Sequence, residues 1–79
     1  MERKEILEKL NEIFIDVFDD MDLKISENIT NEDIEDWDSL MHISLIVSIE
    51  KSFNVKFSIE EVTNMKSIAR IIDNLIERV

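Results

Sequence analysis

The chain has 79 residues and a formal net charge of −10, and it contains no cysteine, glycine or proline. A chain this short buries only about 60–65% of the surface that its unfolded form exposes, so we expect one small domain over residues 1–79 with a thin core. The lack of cysteine excludes disulfides, thiolate-bound metals and a thiol nucleophile. The negative charge disfavours nucleic acid as a partner. No segment has the length and apolarity of a membrane span, and no secretory signal pattern is visible, which predicts a cytoplasmic protein.

The charge is concentrated in the first half of the chain. Residues 1–38 contain 14 acidic and 4 basic side chains, whereas residues 39–79 contain 5 of each. Lys24 is the only base between Asp16 and Asp38. This segment is either a solvated loop or a recognition surface for a basic partner.

Apolar residues at helical spacing predict a first helix that runs from near the N-terminus to Phe18. Its predicted inner face consists of Ile6, Leu7, Leu10, Ile13, Phe14, Val17 and Phe18. The periodicity then fades into a long polar connection, residues 19–38, which we call the acidic connection. We expect three apolar side chains to hold it to the core, namely Ile25, Ile29 and Ile34. The residues from Thr30 to Asp33 have the pattern of a helix start, so they predict a short helical turn.

Three further helices follow the acidic connection. The second is predicted from Ser39 or Leu40 to Phe53, with an inner face of Leu40, Ile43, Ile46, Val47, Ile49 and Phe53. Ser58 and Glu61 form a capping-box pattern that opens a short third helix ending at about Thr63. Ser67 is suited to cap a last helix, whose predicted inner face is Ile68, Ile71, Ile72, Leu75 and Val79. Three longer helices, one short helix and no strand pattern predict a small all-α four-helix bundle.

The residues that could carry chemistry are few. His42 is the only histidine and follows Ser39 by three residues, which places both on neighbouring turns of one helix. The pair lacks the oxyanion-binding turn of a hydrolase, and a single histidine does not complete a metal site. We therefore predict no catalytic residue and no bound metal, and we interpret His42 as a packed or half-exposed helix residue. Ser39 either is an ordinary N-cap or carries an esterified phosphate, which a helix N-terminus stabilises.

The sequence resembles the acyl carrier proteins over nearly its whole length. The resemblance is carried by Asp38-Ser39-Leu40, by the apolar helix that follows, and by the spacing of Glu50, Phe53, Val55 and Phe57. It implies a monomeric carrier and not an enzyme. In that family, a phosphopantetheinyl transferase moves 4′-phosphopantetheine from coenzyme A to the serine hydroxyl, here Ser39, which makes the chain a phosphoprotein. An acyl group is then held as a thioester on the thiol of the cofactor, which would supply the thiol that this chain lacks.

The resemblance also implies roles for the neighbours of Ser39. Asp38 would lie beside the phosphate and help the transferase and its magnesium to engage the site, while Leu40 and Met41 would form an apolar surface next to the arm. Candidates for lining an acyl-chain pocket are Ile43, Ile46, Val47, Val62 and Ile68. Acyl-activating or acyl-transferring enzymes with basic patches are the implied partners, and their candidate contacts are Glu50, Glu60 and Glu61.

The sequence departs from the carriers of fatty acid biosynthesis in two places. Those carriers present acids along the second helix, where this chain has Met41, Ser44, Lys51 and Ser52. The family's glycine before the Asp-Ser pair is also missing, and we interpret Trp37 at this point as a packing anchor for the acidic connection. The pattern is similar to freestanding carriers of specialised lipid, polysaccharide or secondary-metabolite pathways. Two alternatives stay open, a peptidyl or aminoacyl carrier and an unmodified helical adaptor that binds a basic partner.

Overall fold

The computed structural model describes all 79 residues and contains four helices. They are α1 (Arg3–Phe18), α2 (Ser39–Phe53), α3 (Ile59–Asn64) and α4 (Ile68–Ile76). The only β-type pairing is an isolated bridge between Thr30 and Ser67. The predicted all-α four-helix bundle with a short third helix is therefore confirmed. None of the helices is both long enough and apolar enough to cross a membrane.

The core is one cluster of 15 buried apolar side chains, built around α1, which packs against both α2 and α4. The predicted inner face of α1 is correct at Ile6, Leu10, Ile13 and Phe14, which are buried, while the other three side chains are half-buried against the cluster. The inner face of α4 is also correct, with Ile68, Ile71, Ile72 and Leu75 buried. Val79 lies beyond the end of α4 but still packs against the core.

The buried face of α2 differs from the predicted one. Its buried residues are His42, Leu45, Ile46, Ile49 and Phe53. Three residues of the predicted inner face are exposed instead, at 74% for Leu40, 60% for Ile43 and 43% for Val47. Because α2 carries apolar side chains on more than one face, helical periodicity alone does not determine which face is buried.

The helix ends are formed without glycine. The residues after α1 and α2, Asp19 and Asn54, adopt the left-handed conformation with φ of 51° and 56°. Asp and Asn tolerate this conformation better than other residues with a β-carbon. The predicted capping box at the start of α3 is present, since Ser58 and Glu61 each accept a backbone N–H of the other. Ser67 caps α4 as predicted and accepts the N–H of Arg70.

The acidic connection is not helical, but it is attached to α1 at its beginning. The Asn11 side chain accepts the N–H of Ile25 at 2.7 Å, and Ile25 is buried in the core. Arg3 of α1 forms ion pairs with Glu27 of the connection and with Asp73 of α4. The first part of the connection is therefore fixed relative to both helices.

The second part of the acidic connection is attached to the start of α4. The N–H of Ile68 donates to the carbonyl of Ile29, and the N–H of Asn31 donates to the carbonyl of Lys66, both at 2.9 Å. The predicted helical turn after Thr30 is a hydrogen-bonded turn that does not extend into a helix. These bonds hold the segment that leads to Ser39.

Candidate functional site

Ser39 is the first residue of α2 but does not cap it. The cap is Asp38, whose Oδ1 accepts the N–H of Met41 at 2.8 Å and whose carbonyl accepts the N–H of His42 at 2.8 Å. The ordinary N-cap role considered for Ser39 is therefore wrong, because the preceding residue fills it. Ser39 is exposed, and its hydroxyl takes part in none of the hydrogen bonds within the protein. Ser39 is thus accessible at the N-terminus of α2, where the first N–H groups of the helix have no intrahelical acceptor.

A cavity of about 480 Å³ opens between α2 and α3, with Ser39 in its lining. We call it the α2–α3 cavity. Its apolar lining comes from both helices and from the segment between them, and consists of Ile43, Ile46, Val47, Phe57, Ile59 and Val62. The polar side chains of its lining include His42, Glu50, Thr63 and Lys66. The arrangement places an accessible hydroxyl next to an open apolar cavity.

Four of the five residues predicted to line an acyl pocket lie in the α2–α3 cavity, namely Ile43, Ile46, Val47 and Val62. Ile68 does not, because it faces inward from α4 and is fully buried in the core. Phe57 and Ile59 also line the cavity, and the sequence did not indicate either of them. Ile59 is 87% exposed and begins a helix of only six residues, which is too short to show a periodic pattern.

His42 links the start of α2 to α3. Its Nδ1 accepts the indole N–H of Trp37 at 2.9 Å, so Nδ1 carries no proton in this arrangement. The neutral ring therefore carries its proton on Nε2, which donates to the carbonyl of Val62 at 2.8 Å. At 5% exposed, His42 is a packed helix residue, one of the two placements considered for it. Its bond to Val62 joins α2 to α3 in the lining of the α2–α3 cavity.

Trp37 anchors the end of the acidic connection, as predicted. It is 4% exposed and meets Phe14 of α1 in an edge-to-face contact with ring centroids 5.3 Å apart. It also stacks on the His42 ring at 5.9 Å. The packing of this indole fixes the chain two residues before Ser39.

The other predicted site residues differ in their surroundings. Leu40 is exposed and Met41 half-buried directly after Ser39. The Glu50 carboxylate accepts the N–H of Phe57 at 2.9 Å. This bond holds the segment between α2 and α3. Glu60 is exposed.

Glu61, the third predicted partner contact, is already engaged within the protein. Hydrogen bonds from the Ser58 backbone and from the Arg78 guanidinium lower the pKa of Glu61 from its ordinary value of 4.5. The ionised carboxylate stabilises the start of α3 and joins it to the C-terminal segment. Of the three predicted acidic contacts, Glu60 alone has a carboxylate that is exposed and unbonded. No group of three His, Asp or Glu side chains is arranged to hold a metal ion.

Comparison with solved structures relates both the fold and the sequence to a known protein. The solution NMR structure of holo acyl carrier protein from Geobacter metallireducens matches with a TM-score of 0.84 and 35% sequence identity. The match covers 91% of this chain and 83% of the other. No protein-family model matches this chain, and no curated protein matches it.

Proposed function

Since this chain belongs to the acyl carrier protein family, it is a carrier and not an enzyme, and we propose that 4′-phosphopantetheine attached to Ser39 holds its acyl group as a thioester. A phosphopantetheinyl transferase would transfer the group from coenzyme A to the Ser39 hydroxyl. The carrier would then present the acyl group to successive biosynthetic enzymes. Tethering the group to a small protein raises its effective concentration at whichever enzyme is docked.

The observation that carries this proposal is the position of Ser39. Its hydroxyl is exposed, its capping role is filled by Asp38, and it borders the apolar α2–α3 cavity. The N-terminus of α2 favours a negative charge at this point, because its first N–H groups and the helix dipole both stabilise an anion. The residues present therefore fit a phosphate on Ser39.

The prosthetic group would supply a thiol to a chain that contains no cysteine. The chain's own contribution is placement. Asp38 and Trp37 fix the backbone that presents Ser39, and Leu40 offers an exposed apolar surface beside it. The α2–α3 cavity offers apolar side chains against which an acyl chain can be shielded from water.

We further propose that the partner enzymes approach Ser39 through basic surfaces. The acidic side chains that precede Ser39 in the acidic connection are exposed, namely Glu32, Asp33, Glu35, Asp36 and Asp38. Glu60 of α3 is a further exposed acid and directly follows Ile59, which lines the α2–α3 cavity. Such a surface accelerates encounter with a basic partner and selects against an acidic one.

The scarcity of acids on the surface of α2 supports assigning the carrier to a specialised pathway and not to general fatty acid biosynthesis. Glu50 is the only acid in α2, and it is half-buried and bonded to the Phe57 backbone. We expect low catalytic efficiency with a housekeeping malonyl transferase and ketosynthase. The combined variant Ser44→Glu and Lys51→Glu should raise that efficiency, whereas Ser44→Gln with Lys51→Gln should not. Efficiency of the unaltered chain equal to that of a housekeeping carrier would contradict the assignment.

The experiment that tests the carrier function is acyl loading followed by hydroxylamine treatment. A broad-specificity transferase is supplied with octanoyl-coenzyme A, and the intact mass should increase by one octanoyl-phosphopantetheine group. Hydroxylamine should then remove the acyl group and leave the arm, because a thioester is cleaved and a phosphodiester is not. Ser39→Ala should gain nothing, while the matched control Ser44→Ala, another exposed serine of α2, should load normally. A biological activity retained by Ser39→Ala would favour the unmodified adaptor.

A further inference from the structure

Lys66 is a basic residue that lines the same cavities as Ser39. It lies in the segment between α3 and α4 and lines the α2–α3 cavity together with Ser39. Ser39 also lines a second, smaller cavity of about 180 Å³ with Asn31, Trp37, Asp38, His42 and Lys66. Lys66 is the only lysine or arginine in the lining of either cavity, and both ring nitrogens of His42, which also lines both cavities, are already hydrogen-bonded. Both of these cavities beside the serine therefore include Lys66 in their lining.

The backbone of Lys66 is held in place while its side chain remains available. Its carbonyl accepts the N–H of Asn31 at 2.9 Å, and the next residue, Ser67, pairs with Thr30 in the isolated bridge. The side chain is exposed and forms no ion pair, unlike Arg3 and Arg78, which are engaged by carboxylates. A fixed backbone and an unpaired ammonium group are suited to bind a negatively charged group that is attached after the chain has folded.

A phosphate on Ser39 would be such a charge. The phosphodiester would add a negative charge directly after the Asp38 carboxylate and after a segment that contains Glu35 and Asp36. In a protein with a net charge of −10, repulsion opposes this addition, and a nearby base would reduce that repulsion further than the N-terminus of α2 does alone. We propose that Lys66 is a positioning residue whose ammonium group pairs with the phosphate attached to Ser39 and orients the arm at the mouth of the α2–α3 cavity. This inference rests on the proposed attachment of phosphopantetheine to Ser39.

The test compares Lys66→Gln with Lys56→Gln. Lys56 is also exposed and its replacement changes the net charge equally, but it lines a cavity that does not include Ser39. Each variant and the unaltered chain are prepared in the unmodified form and in the form loaded by the transferase with coenzyme A, with loading verified by intact mass. The unfolding equilibrium constants of both forms are then measured in urea at low salt and in 1 M NaCl.

In Lys66→Gln, loading should raise the unfolding constant roughly two- to fivefold more than it does in the unaltered chain, which is the size of an exposed ion pair. Lys56→Gln should respond as the unaltered chain does, and 1 M NaCl should remove the difference. The side-chain ¹³Cε signal of Lys66 should also move on loading, while that of Lys56 should not. Equal responses of the two variants, with both completely loaded, would overturn the role of Lys66 and leave the carrier function standing. If none of several transferases loads Ser39, the proposed function is overturned instead.

Discussion

The hydrogen bond from Trp37 to His42 can be broken with a single substitution, Trp37→Phe. The phenylalanine ring can still contact Phe14 and Phe18, whose ring centroids lie 5.3 and 6.3 Å from that of the indole. It cannot donate to Nδ1 of His42, which would be left buried without a partner. The substitution therefore removes the polar link that joins the end of the acidic connection to α2.

The expected cost follows from two contributions. A buried acceptor left without its donor costs about 1–3 kcal/mol, and the space left by the smaller ring adds about 1 kcal/mol. A chain of 79 residues has a free energy of unfolding of roughly 4–12 kcal/mol. Trp37→Phe should therefore lower the free energy of unfolding by about 2–4 kcal/mol, a large share of the total.

The assay is urea unfolding within a double-mutant cycle that includes His42→Leu. Trp37 is the only tryptophan, so unfolding is followed by circular dichroism at 222 nm and not by fluorescence. His42→Leu alone leaves the indole N–H without an acceptor, but the Val62 carbonyl keeps its bond from the N–H of Met65. The double variant leaves neither partner of the Trp37–His42 bond unsatisfied, so it should be about 1–2 kcal/mol more stable than the sum of the single effects predicts. Additivity within about 0.5 kcal/mol would refute the reasoning.

Three further predictions concern charge and backbone conformation. The Arg3 guanidinium lowers the pKa of Glu27 from its ordinary 4.5, so the ion pair stabilises the fold above that pH and is lost as the pH falls through the lowered value. Arg3→Gln should therefore destabilise the chain at pH 7 and approach the unaltered chain below pH 4.5 in urea unfolding; a constant difference from pH 7 to pH 3 would contradict this. Asp19→Gly should raise the free energy of unfolding by about 0.5–1 kcal/mol, because Asp19 has a positive φ, whereas Asp19→Asn should change it less. Raising NaCl or adding Mg²⁺ should increase the melting temperature by screening repulsion within residues 16–38, and an unchanged melting temperature would argue against that repulsion.

The helices could be predicted because their signals are local. The capping box of Ser58 and Glu61 and the apolar periodicity of α1 and α4 each lie within a few turns of chain. The buried face of α2 could not be predicted in the same way, because Ile43 and Val47 are as apolar as the residues that are buried. Only the packing of α2 against α1 decides which face is covered.

The long-range contacts left no pattern in the sequence. Arg3 meets Asp73, 70 residues away, and Thr30 pairs with Ser67. At the site, the resemblance of the Asp-Ser-Leu segment to a known family singled out Ser39, while the shape of the α2–α3 cavity depends on where α3 lies. The bond from His42 to Val62 is one of the contacts that hold α3 in place, and the sequence does not reveal it.

The most direct test of the account is the intact mass of the protein after incubation with coenzyme A, Mg²⁺ and a broad-specificity phosphopantetheinyl transferase. We predict the addition of one phosphopantetheinyl group to the unaltered chain and to Ser44→Ala, and none to Ser39→Ala. An unchanged mass with several transferases, or a group added to Ser39→Ala, would contradict the claim that Ser39 carries the arm.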